Sequence, residues 1–176
     1  MIVLKQGDMT QSDAAVWVAP ANPALAAGGG CMGAIQNHCD HLNFLLMEQA
    51  QGFYPLGIST GQAVAIETSL MVPNIVVHAV APNLSVYPGL DRDHLKVLLK
   101  EAYLQSLKRA HEYFSYNKHK NPMVAIPLLG SGIYGWSVEE SIIELKSALM
   151  IQNPDITYEV WCYAPQDLEL AKSYFL

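Results

Sequence analysis

A long uncharged segment near the amino terminus sets the strongest limit on how this chain can fold. Between Ala14 and Cys39 there is no Asp, Glu, Lys or Arg, yet the segment contains two prolines and three consecutive glycines at 28–30. Prolines and glycines at this density break a helix, so the segment cannot cross a bilayer as one apolar helix. It predicts instead a buried strand that runs into a glycine-rich loop.

Short apolar runs alternate with stretches of helical spacing along the whole chain. Runs rich in β-branched and aromatic residues predict strands at 2–4, 15–18, 62–66, 75–79, 123–129 and 158–163. Helical spacing predicts helices over 33–50 and 95–114, the second capped by Asp91 or Asp93. A capping box at Ser137 predicts a helix to Met150, and Pro165 opens a last helix. Repeated strand–helix units predict a largely parallel sheet between helices.

Composition limits the classes of function that the chain can have. Its 176 residues, 51% hydrophobic and 15% charged, predict one folded domain over 1–176. Ten basic against sixteen acidic residues give a net charge of −6, which argues against a nucleic-acid partner. An odd number of cysteines and the absence of a signal-peptide pattern predict a cytoplasmic protein that is not bound to a membrane.

Two predicted strands run into glycine-rich loops that precede helices. We call residues 19–33 the first glycine loop and residues 128–136 the second glycine loop. Glycines allow backbone amides to converge on one point, and the start of a helix adds partial positive charge. Ligands bind beyond the carboxyl ends of strands in sheets of this type. The two loops therefore predict a cleft for a diphosphate that needs no Lys or Arg, with a pair of plain tight turns as the alternative.

Nucleotide motifs of other folds do not match in context. Gly28, Gly30 and Gly33 satisfy G-x-G-x-x-G, but the loop 19–27 separates them from the strand. Glu48, the acidic residue at the expected distance, lies inside the predicted helix instead of at the end of a second strand. The chain also lacks a G-x-x-x-x-G-K-[ST] motif. These observations exclude a dinucleotide dehydrogenase and a P-loop NTPase.

Two further types of site have weaker support. Ser131 lies in G-S-G and not in the G-x-S-x-G turn of a hydrolase nucleophile. His38, Cys39, Asp40 and His41 form a candidate metal cluster, but the two histidines are three residues apart and not the usual four. We expect an exposed polar helix face there and no metal.

Several single residues permit more than one interpretation. Cys31 is a candidate reactive thiol at a helix start, although packing within the loop is favoured. His78 is predicted to be a hydrogen-bonded core histidine, and Trp17 and Trp161 are predicted to be core residues. Trp136 is expected either in the core or as a wall of a ribose pocket.

Several motifs, in the same order, resemble those of the macrodomain family, whose members bind ADP-ribose. They are G-D-M-T at 7–10, A-P-A-N at 19–22 followed by G-G-G-C-M-G-A-I at 28–35, V-H-A-V-A-P at 77–82, and P-L-L-G-S-G-I-Y-G at 127–135. The last is close to the form found in viral macrodomains. The resemblance extends from Leu4 to the carboxyl terminus. It implies a three-layer α/β/α sandwich with a mostly parallel mixed sheet, and ADP-ribose as the ligand.

The resemblance also implies a role for each matching residue. Asp8 and the backbone at Met9 would bind adenine, and Tyr163 would stack on the adenine ring. Asn22 would bind the distal ribose, with a turn residue before Pro23 as its alternative. The diphosphate and the distal ribose would be held by Gly28, Gly29, Gly30, Cys31, Met32, Gly130, Ser131, Gly132, Ile133 and Tyr134.

Two departures from the family pattern bear on catalysis. Ala19 replaces the first Asn of the family's N-A-A-N motif, and Met32 stands where one branch of ADP-ribosyl hydrolases has an Asp that orients water. Since neither glycine loop contains Asp or Glu, a substrate-assisted mechanism is favoured. Water held between a substrate phosphate and Gly30 would attack the anomeric carbon, while Asn22 and Tyr134 fix the ribose.

Two functions are consistent with these residues. The favoured one is an enzyme that removes mono-ADP-ribose from carboxylate side chains of modified proteins, or acts on the related ester in O-acetyl-ADP-ribose. The alternative is a non-catalytic reader of ADP-ribosylated proteins. A chain interpreted as one domain without a recruitment module favours the enzyme. No cofactor is expected, the partners would be ADP-ribose and mono-ADP-ribosylated proteins, and the sequence does not indicate an oligomeric state.

Overall fold

The central strands are apolar on both faces because helices cover the sheet from two sides. The computed structural model describes residues 1–39, 43–68, 70–151 and 153–176. Its elements, in chain order, are β1 Ile2–Gln6, β2 Val16–Pro20, α1 Gly30–Cys39, α2 Asn43–Phe53, β3 Ala63–Glu67, β4 Ile75–Ala79, α3 Arg92–Tyr116, β5 Met123–Pro127, α4 Val138–Leu149, β6 Thr157–Cys162 and α5 Pro165–Phe175. A short 3₁₀ turn, Met9–Gln11, follows β1.

The strands form one sheet in the order β1-β6-β5-β2-β4-β3. All neighbours are parallel except β3, which pairs with β4 in the antiparallel direction. The carboxyl ends of β1, β6, β5, β2 and β4 therefore meet at one edge of the sheet. This arrangement confirms the predicted mostly parallel mixed sheet.

Side chains of β2 show how the two layers of helices are held. Val16 and Val18 pack in a core with buried residues of α3, α4 and α5. Trp17 and Ala19 point the other way and pack with residues of α1 and α2. Successive side chains of a strand alternate between faces, so each face builds its own core. The result is the predicted three-layer α/β/α sandwich, with Trp17 fully buried as expected.

Most predicted elements are confirmed, with two differences. The helix predicted over 33–50 begins earlier, at Gly30, and the structure describes two helices, α1 and α2, in place of one. The strand predicted over 123–129 ends at Pro127, because the amide of Leu129 donates to the hydroxyl oxygen of Tyr103 and not to a neighbouring strand. Asp91 caps α3, and the capping box at Ser137 forms as predicted.

Membrane insertion finds no support in the part of the chain that the structure describes. None of its helices is both long enough and apolar enough to cross a bilayer.

Candidate functional site

A pocket of about 410 Å³ lies at the carboxyl ends of β1, β5 and β6. Its lining residues are Gly7, Asp8, Met9, Gly30, Cys31, Ala34, Pro127, Leu128, Ser131, Trp161, Tyr163 and Asp167. The pocket therefore lies where a parallel sheet is expected to bind a ligand. It brings together Asp8, Met9, Gly30, Cys31, Ser131 and Tyr163 of the residues predicted from sequence.

The other predicted residues are not among those that line this pocket. They are Asn22, Gly28, Gly29, Met32, Gly130, Gly132, Ile133 and Tyr134. Met32 is buried in the core beneath the first glycine loop, whereas the side chain of Ile133 is almost fully exposed. The roles assigned to these residues remain predictions.

Asp8 is oriented by the turn that it begins. Its Oδ1 accepts hydrogen bonds from the amide and the hydroxyl of Thr10, at 2.9 and 2.8 Å, which caps the Met9–Gln11 turn. Gly7, at a φ of +117°, donates its amide to the carbonyl of Cys162 and ties the end of β1 to the end of β6. Within the described residues Oδ2 of Asp8 has no partner, so it can accept a hydrogen bond from a ligand.

The side chains of Asn22 and of Gln36 in α1 bond to the backbone of the first glycine loop. The amide nitrogen Nδ2 of Asn22 donates to the carbonyl of Ala26 at 2.9 Å, and Oδ1 accepts from the amide of Ala26 at 3.0 Å. Gln36 accepts from the amide of Gly28 at 3.3 Å. Asn22 thus has the turn role that was its alternative, and one amide hydrogen and one lone pair remain for a ligand.

The start of α1 supplies the amides that face the pocket. The helix begins at Gly30, whose φ of +56° is in the left-handed region. The first amides of a helix have no acceptor within it, and the helix dipole adds partial positive charge there. Gly30 and Cys31 of this first turn line the pocket, which makes this wall suited to a phosphate.

The second glycine loop is held from outside. Tyr103 bonds to both Ser141 Oγ, at 2.6 Å, and the amide of Leu129, at 2.7 Å, while Ser141 Oγ also donates to the carbonyl of Leu129. The indole nitrogen of Trp136 donates to the carbonyl of Pro82 at 2.7 Å. A side chain at Gly130 would place its Cβ 2.5 Å from the Trp136 ring. Trp136 is therefore a core residue that braces the loop.

The pocket contains two acidic side chains, Asp8 and Asp167, and no Lys, Arg or His among its described lining residues. Any attraction for a phosphate must therefore come from backbone amides. Burial, and secondarily the charge of Asp8, raises the pKa of the Cys31 thiol to about 12. Cys31 stays protonated at neutral pH, which agrees with packing in the loop and not with a reactive thiol.

Sequence reasoning missed part of the lining. Trp161, interpreted as a core residue, is buried but also forms a wall of the pocket. Asp167, in the first turn of α5, accepts from the amide of Ala164 at 3.4 Å and reaches the same pocket. The alternation along β6 could have placed Trp161 on the α1 side of the sheet, but no local pattern indicates that Asp167 reaches the pocket.

His78 differs from its prediction. It is fully buried on β4, and neither ring nitrogen has a hydrogen-bond partner in the described part of the chain. The predicted core position is confirmed, whereas the predicted hydrogen bonding of the ring is not found among the residues described. Burial lowers the pKa of His78 to about 4, so the ring is neutral at physiological pH.

The candidate metal cluster lies only partly within the described residues. Cys39 is buried in the core, while His38 is exposed and its ring centroid lies 4.8 Å from that of Trp17. The buried Cys39 differs from the exposed polar face that was expected. Asp40 and His41 lie outside the described residues. Elsewhere, in the described ranges, no three His, Cys, Asp or Glu side chains converge on a metal position.

Relatives of this chain are found by sequence. The family model for the Macro domain matches residues 18–143. The O-acetyl-ADP-ribose deacetylase of Escherichia coli K12 is 32% identical over 175 residues, which cover 94% of this chain and 89% of the relative. A macro domain-containing protein of Streptomyces griseus is 32% identical over 142 residues, or 80% of this chain and 73% of the relative.

Solved structures with the same fold carry nucleotide ligands. The Oceanobacillus iheyensis macrodomain with ADP superposes with a TM-score of 0.83 at 19% identity, covering 98% of this chain and 88% of that one. The Trypanosoma brucei macrodomain in complex with ADP-ribose gives 0.75 at 20% identity, covering 98% and 68%. Sequence match and fold agree, and the chain belongs to the Macro domain family.

Proposed function

We propose that this chain binds ADP-ribose and hydrolyses it from carboxylate side chains of mono-ADP-ribosylated proteins, or acts on the related ester O-acetyl-ADP-ribose. The observation that carries the proposal is that Gly30 and Ser131, from the two glycine loops, line one pocket together with Asp8. A relative named O-acetyl-ADP-ribose deacetylase, similar over 94% of the chain, supports the choice of an enzyme.

The two ends of the pocket suggest how the ligand lies. Oδ2 of Asp8 is free to accept a hydrogen bond from the exocyclic amino group of adenine, and the largely exposed ring of Tyr163 offers a face for stacking. The diphosphate would then rest against the amides at Gly30 and Ser131. The distal ribose would extend from there toward Asn22 and Tyr134.

The environment of the loops favours substrate-assisted hydrolysis. Met32 is apolar and buried, and both acidic lining residues, Asp8 and Asp167, lie at the adenine end. Water would attack the anomeric carbon, its proton would pass to a substrate phosphate oxygen, and the bond to the carboxylate leaving group would break. Burial raises the pKa of Tyr134, so its hydroxyl stays protonated and can donate to the ribose.

The test of hydrolysis is release of ADP-ribose from a protein that is auto-modified on Glu and Asp. Wild type should release it, and Asn22→Ala should not. Because Asn22 also closes the turn to Ala26, the variant's ADP-ribose affinity and urea unfolding must be measured alongside. A variant that binds and folds normally but releases nothing would support a role at the distal ribose.

Asp8→Asn tests the adenine end with less disturbance than Asp8→Ala. An Asn retains an oxygen for Thr10 but presents an amide in place of the second carboxylate oxygen. Loss of one hydrogen bond should weaken ADP-ribose binding by about 0.5–1.5 kcal/mol in calorimetry. An unchanged dissociation constant would show that Asp8 does not bind the ligand.

The second candidate function, a non-catalytic reader, is favoured by Met32. This buried apolar side chain cannot orient a water molecule. Intact ADP-ribose binding without any release would support the reader, and Met32→Asp would then be the first variant to test for restored hydrolysis.

A further inference from the structure

A buried carboxylate lies beneath the pocket without lining it. Glu159 is in the middle of β6, paired with Val3 of β1 on one side and Ala125 of β5 on the other, and is only 7% exposed. By the alternation along β6 it points to the same face of the sheet as Trp161. This is the face covered by α1 and by the Met9–Gln11 turn.

Two of the contacts of Glu159 lead to walls of the pocket. Its Oε2 accepts from the hydroxyl of Ser12 at 2.5 Å and from the indole nitrogen of Trp161 at 3.1 Å. Trp161 is itself a wall of the pocket. Lys5 forms an ion pair with Glu159, its Nζ lying 3.6 Å from Oε1.

Ser12 connects the carboxylate to the turn that presents Asp8. The amide of Ser12 donates to the carbonyl of Met9 at 3.0 Å and closes the Met9–Gln11 turn. Its hydroxyl oxygen also accepts from the amide of Ala14 at 3.1 Å. Ser12 therefore joins the Met9–Gln11 turn to Glu159 by its amide on one side and its hydroxyl on the other.

Stability alone is a poor reason to keep a carboxylate at this position. Taking a charge out of water is costly, and well-packed apolar residues often replace a buried ion pair without loss. An apolar residue, however, has no oxygen that could accept hydrogen bonds from both Ser12 and Trp161.

We infer that Glu159 is a positioning residue that fixes the adenine end of the pocket by holding the Met9–Gln11 turn and Trp161 in one register. The inference rests on the proposed function for the identity of the base. According to this inference, Glu159 makes the pocket selective for a purine with an exocyclic amino group, because it fixes the position of Asp8.

The test compares ADP-ribose with its hypoxanthine analogue, in which a carbonyl replaces the amino group. Wild type should bind ADP-ribose more tightly, because only the amino group can donate to Asp8. In Glu159→Met, which has no acceptor oxygen for Ser12 and Trp161, this preference should fall by about 3- to 10-fold, while the affinity for the analogue stays within about twofold. A general loss of structure would weaken both ligands equally and would overturn the inference, as would an unchanged preference.

Three matched variants make the result specific. Ser12→Ala removes the hydroxyl that links the turn to Glu159 but leaves the carboxylate and its bond from Trp161, and should lower the preference in the same direction even if Glu159→Met fails to fold. Lys5→Met removes the cation but leaves both hydrogen bonds, and should keep the preference. Glu112→Gln, at an exposed ion pair with Arg109, should change nothing.

A ligand-free measurement separates this inference from the proposed function. In ¹H–¹⁵N spectra the indole resonance of Trp161, assigned with Trp161→Phe, and the amide of Thr10 should both shift in Glu159→Met and remain in place in Glu112→Gln. If wild type binds no ADP-ribose, the proposed function fails, and these resonances alone decide the positioning role. Unshifted resonances would overturn it.

Discussion

The two glycine loops line the same pocket but are held in place by different means. Residues 26–30 of the first glycine loop are closed by nearby residues, with Asn22 bonded to Ala26 and Gln36 to Gly28, whereas its earlier part is bonded to Ala79 and Ile58. The second glycine loop is bonded to residues far away in sequence, to Tyr103 of α3 and, through the indole nitrogen of its own Trp136, to the carbonyl of Pro82. Tyr103 binds the amide of Leu129, and the Trp136 ring packs against Gly130.

This difference predicts unequal responses to perturbation. A segment closed only by local contacts can open on its own, whereas a segment bonded to the packed core opens only when part of that core unfolds. We therefore expect the second glycine loop to be a rigid wall of the pocket, and residues 26–30 of the first glycine loop to be the part that adjusts to a ligand. Each prediction below tests one side of this contrast.

The largest effect is expected from Gly130→Ala. The φ of +77° is unfavourable for alanine, and the added Cβ would lie 2.5 Å from the Trp136 ring. Backbone strain and overpacking together should lower the free energy of unfolding by about 2–4 kcal/mol in urea titrations. Gly132→Ala is the matched control, because its Cβ would meet nothing within 4 Å. Equal losses in the two variants would contradict a rigid second glycine loop.

Acid should weaken the half of the core beneath the first glycine loop. Burial lowers the pKa of His78 from its ordinary 6.5 to about 4, so the unfolded chain takes up the proton first as pH falls. This contribution is fully present above pH 6.5 and is lost toward pH 4, by up to about 3 kcal/mol. Urea unfolding at pH 7, 5.5 and 4.5 measures the loss. His78→Leu should flatten the slope, and a wild-type stability that is constant over this range would refute the prediction.

The brace of the second glycine loop should respond at a lower pH. The Arg92 guanidinium lies over the Trp136 ring and makes two hydrogen bonds to Glu140, which hold the pKa of that carboxyl at about 2, well below its ordinary 4.5. Its stabilising contribution is present above pH 4.5 and is lost toward pH 2. Glu140→Gln should therefore change the pH dependence of unfolding only below pH 4.5. A change near pH 6 would show that the pH ranges of Glu140 and His78 do not distinguish the second glycine loop from the core beneath the first.

Tyr103→Phe tests the outside support of the second glycine loop with a smaller change. The lost hydroxyl leaves the buried amide of Leu129 without its partner. This should cost about 1–3 kcal/mol in the free energy of unfolding. Tyr113→Phe removes a hydroxyl whose one hydrogen-bond partner among the described residues is His119, beyond the end of α3, and serves as the control. A loss in the control as large as in Tyr103→Phe would argue against a special role for Tyr103.

The smallest effect on stability is expected from Asn22→Ala. It removes both bonds to Ala26 in a partly exposed loop, which should cost about 1 kcal/mol. Hydrogen exchange at the amide of Ala26 should accelerate, while that at Leu129 should not change. Faster exchange at both amides would mean that the two loops open together.

Much of the fold could be predicted because the patterns involved are local. The apolar runs of β2 and β4, the cap at Asp91 and the capping box at Ser137 depend on neighbours within a few residues, and all are present in the structure. The start of α1 was placed three residues late, at Gly33, because glycine has a low helix propensity. The helix begins at Gly30, whose left-handed φ opens it.

The candidate site was predictable only where its residues belong to motifs. Asp8, Met9, Gly30, Cys31, Ser131 and Tyr163 were named from their patterns, and the fold brings them to one pocket. The partner of Asn22 could not be predicted, because its side chain can bond either to its own loop or to a ligand. Asp167 could not be predicted either, since a carboxylate in a first helical turn is usually no more than a favourable charge at the helix start.

The sequence by itself determined the order and type of most elements, the two glycine loops and the family of the chain, because each depends on residues close together or on motifs in a set order. Only the tertiary structure decided which residues from distant parts of the chain come into contact. The register of β6 between β1 and β5 puts Glu159 beneath Ser12 and beside Trp161, and the packing of α3 brings Tyr103 to Leu129. Such contacts join residues far apart in the chain, and no local preference encodes them.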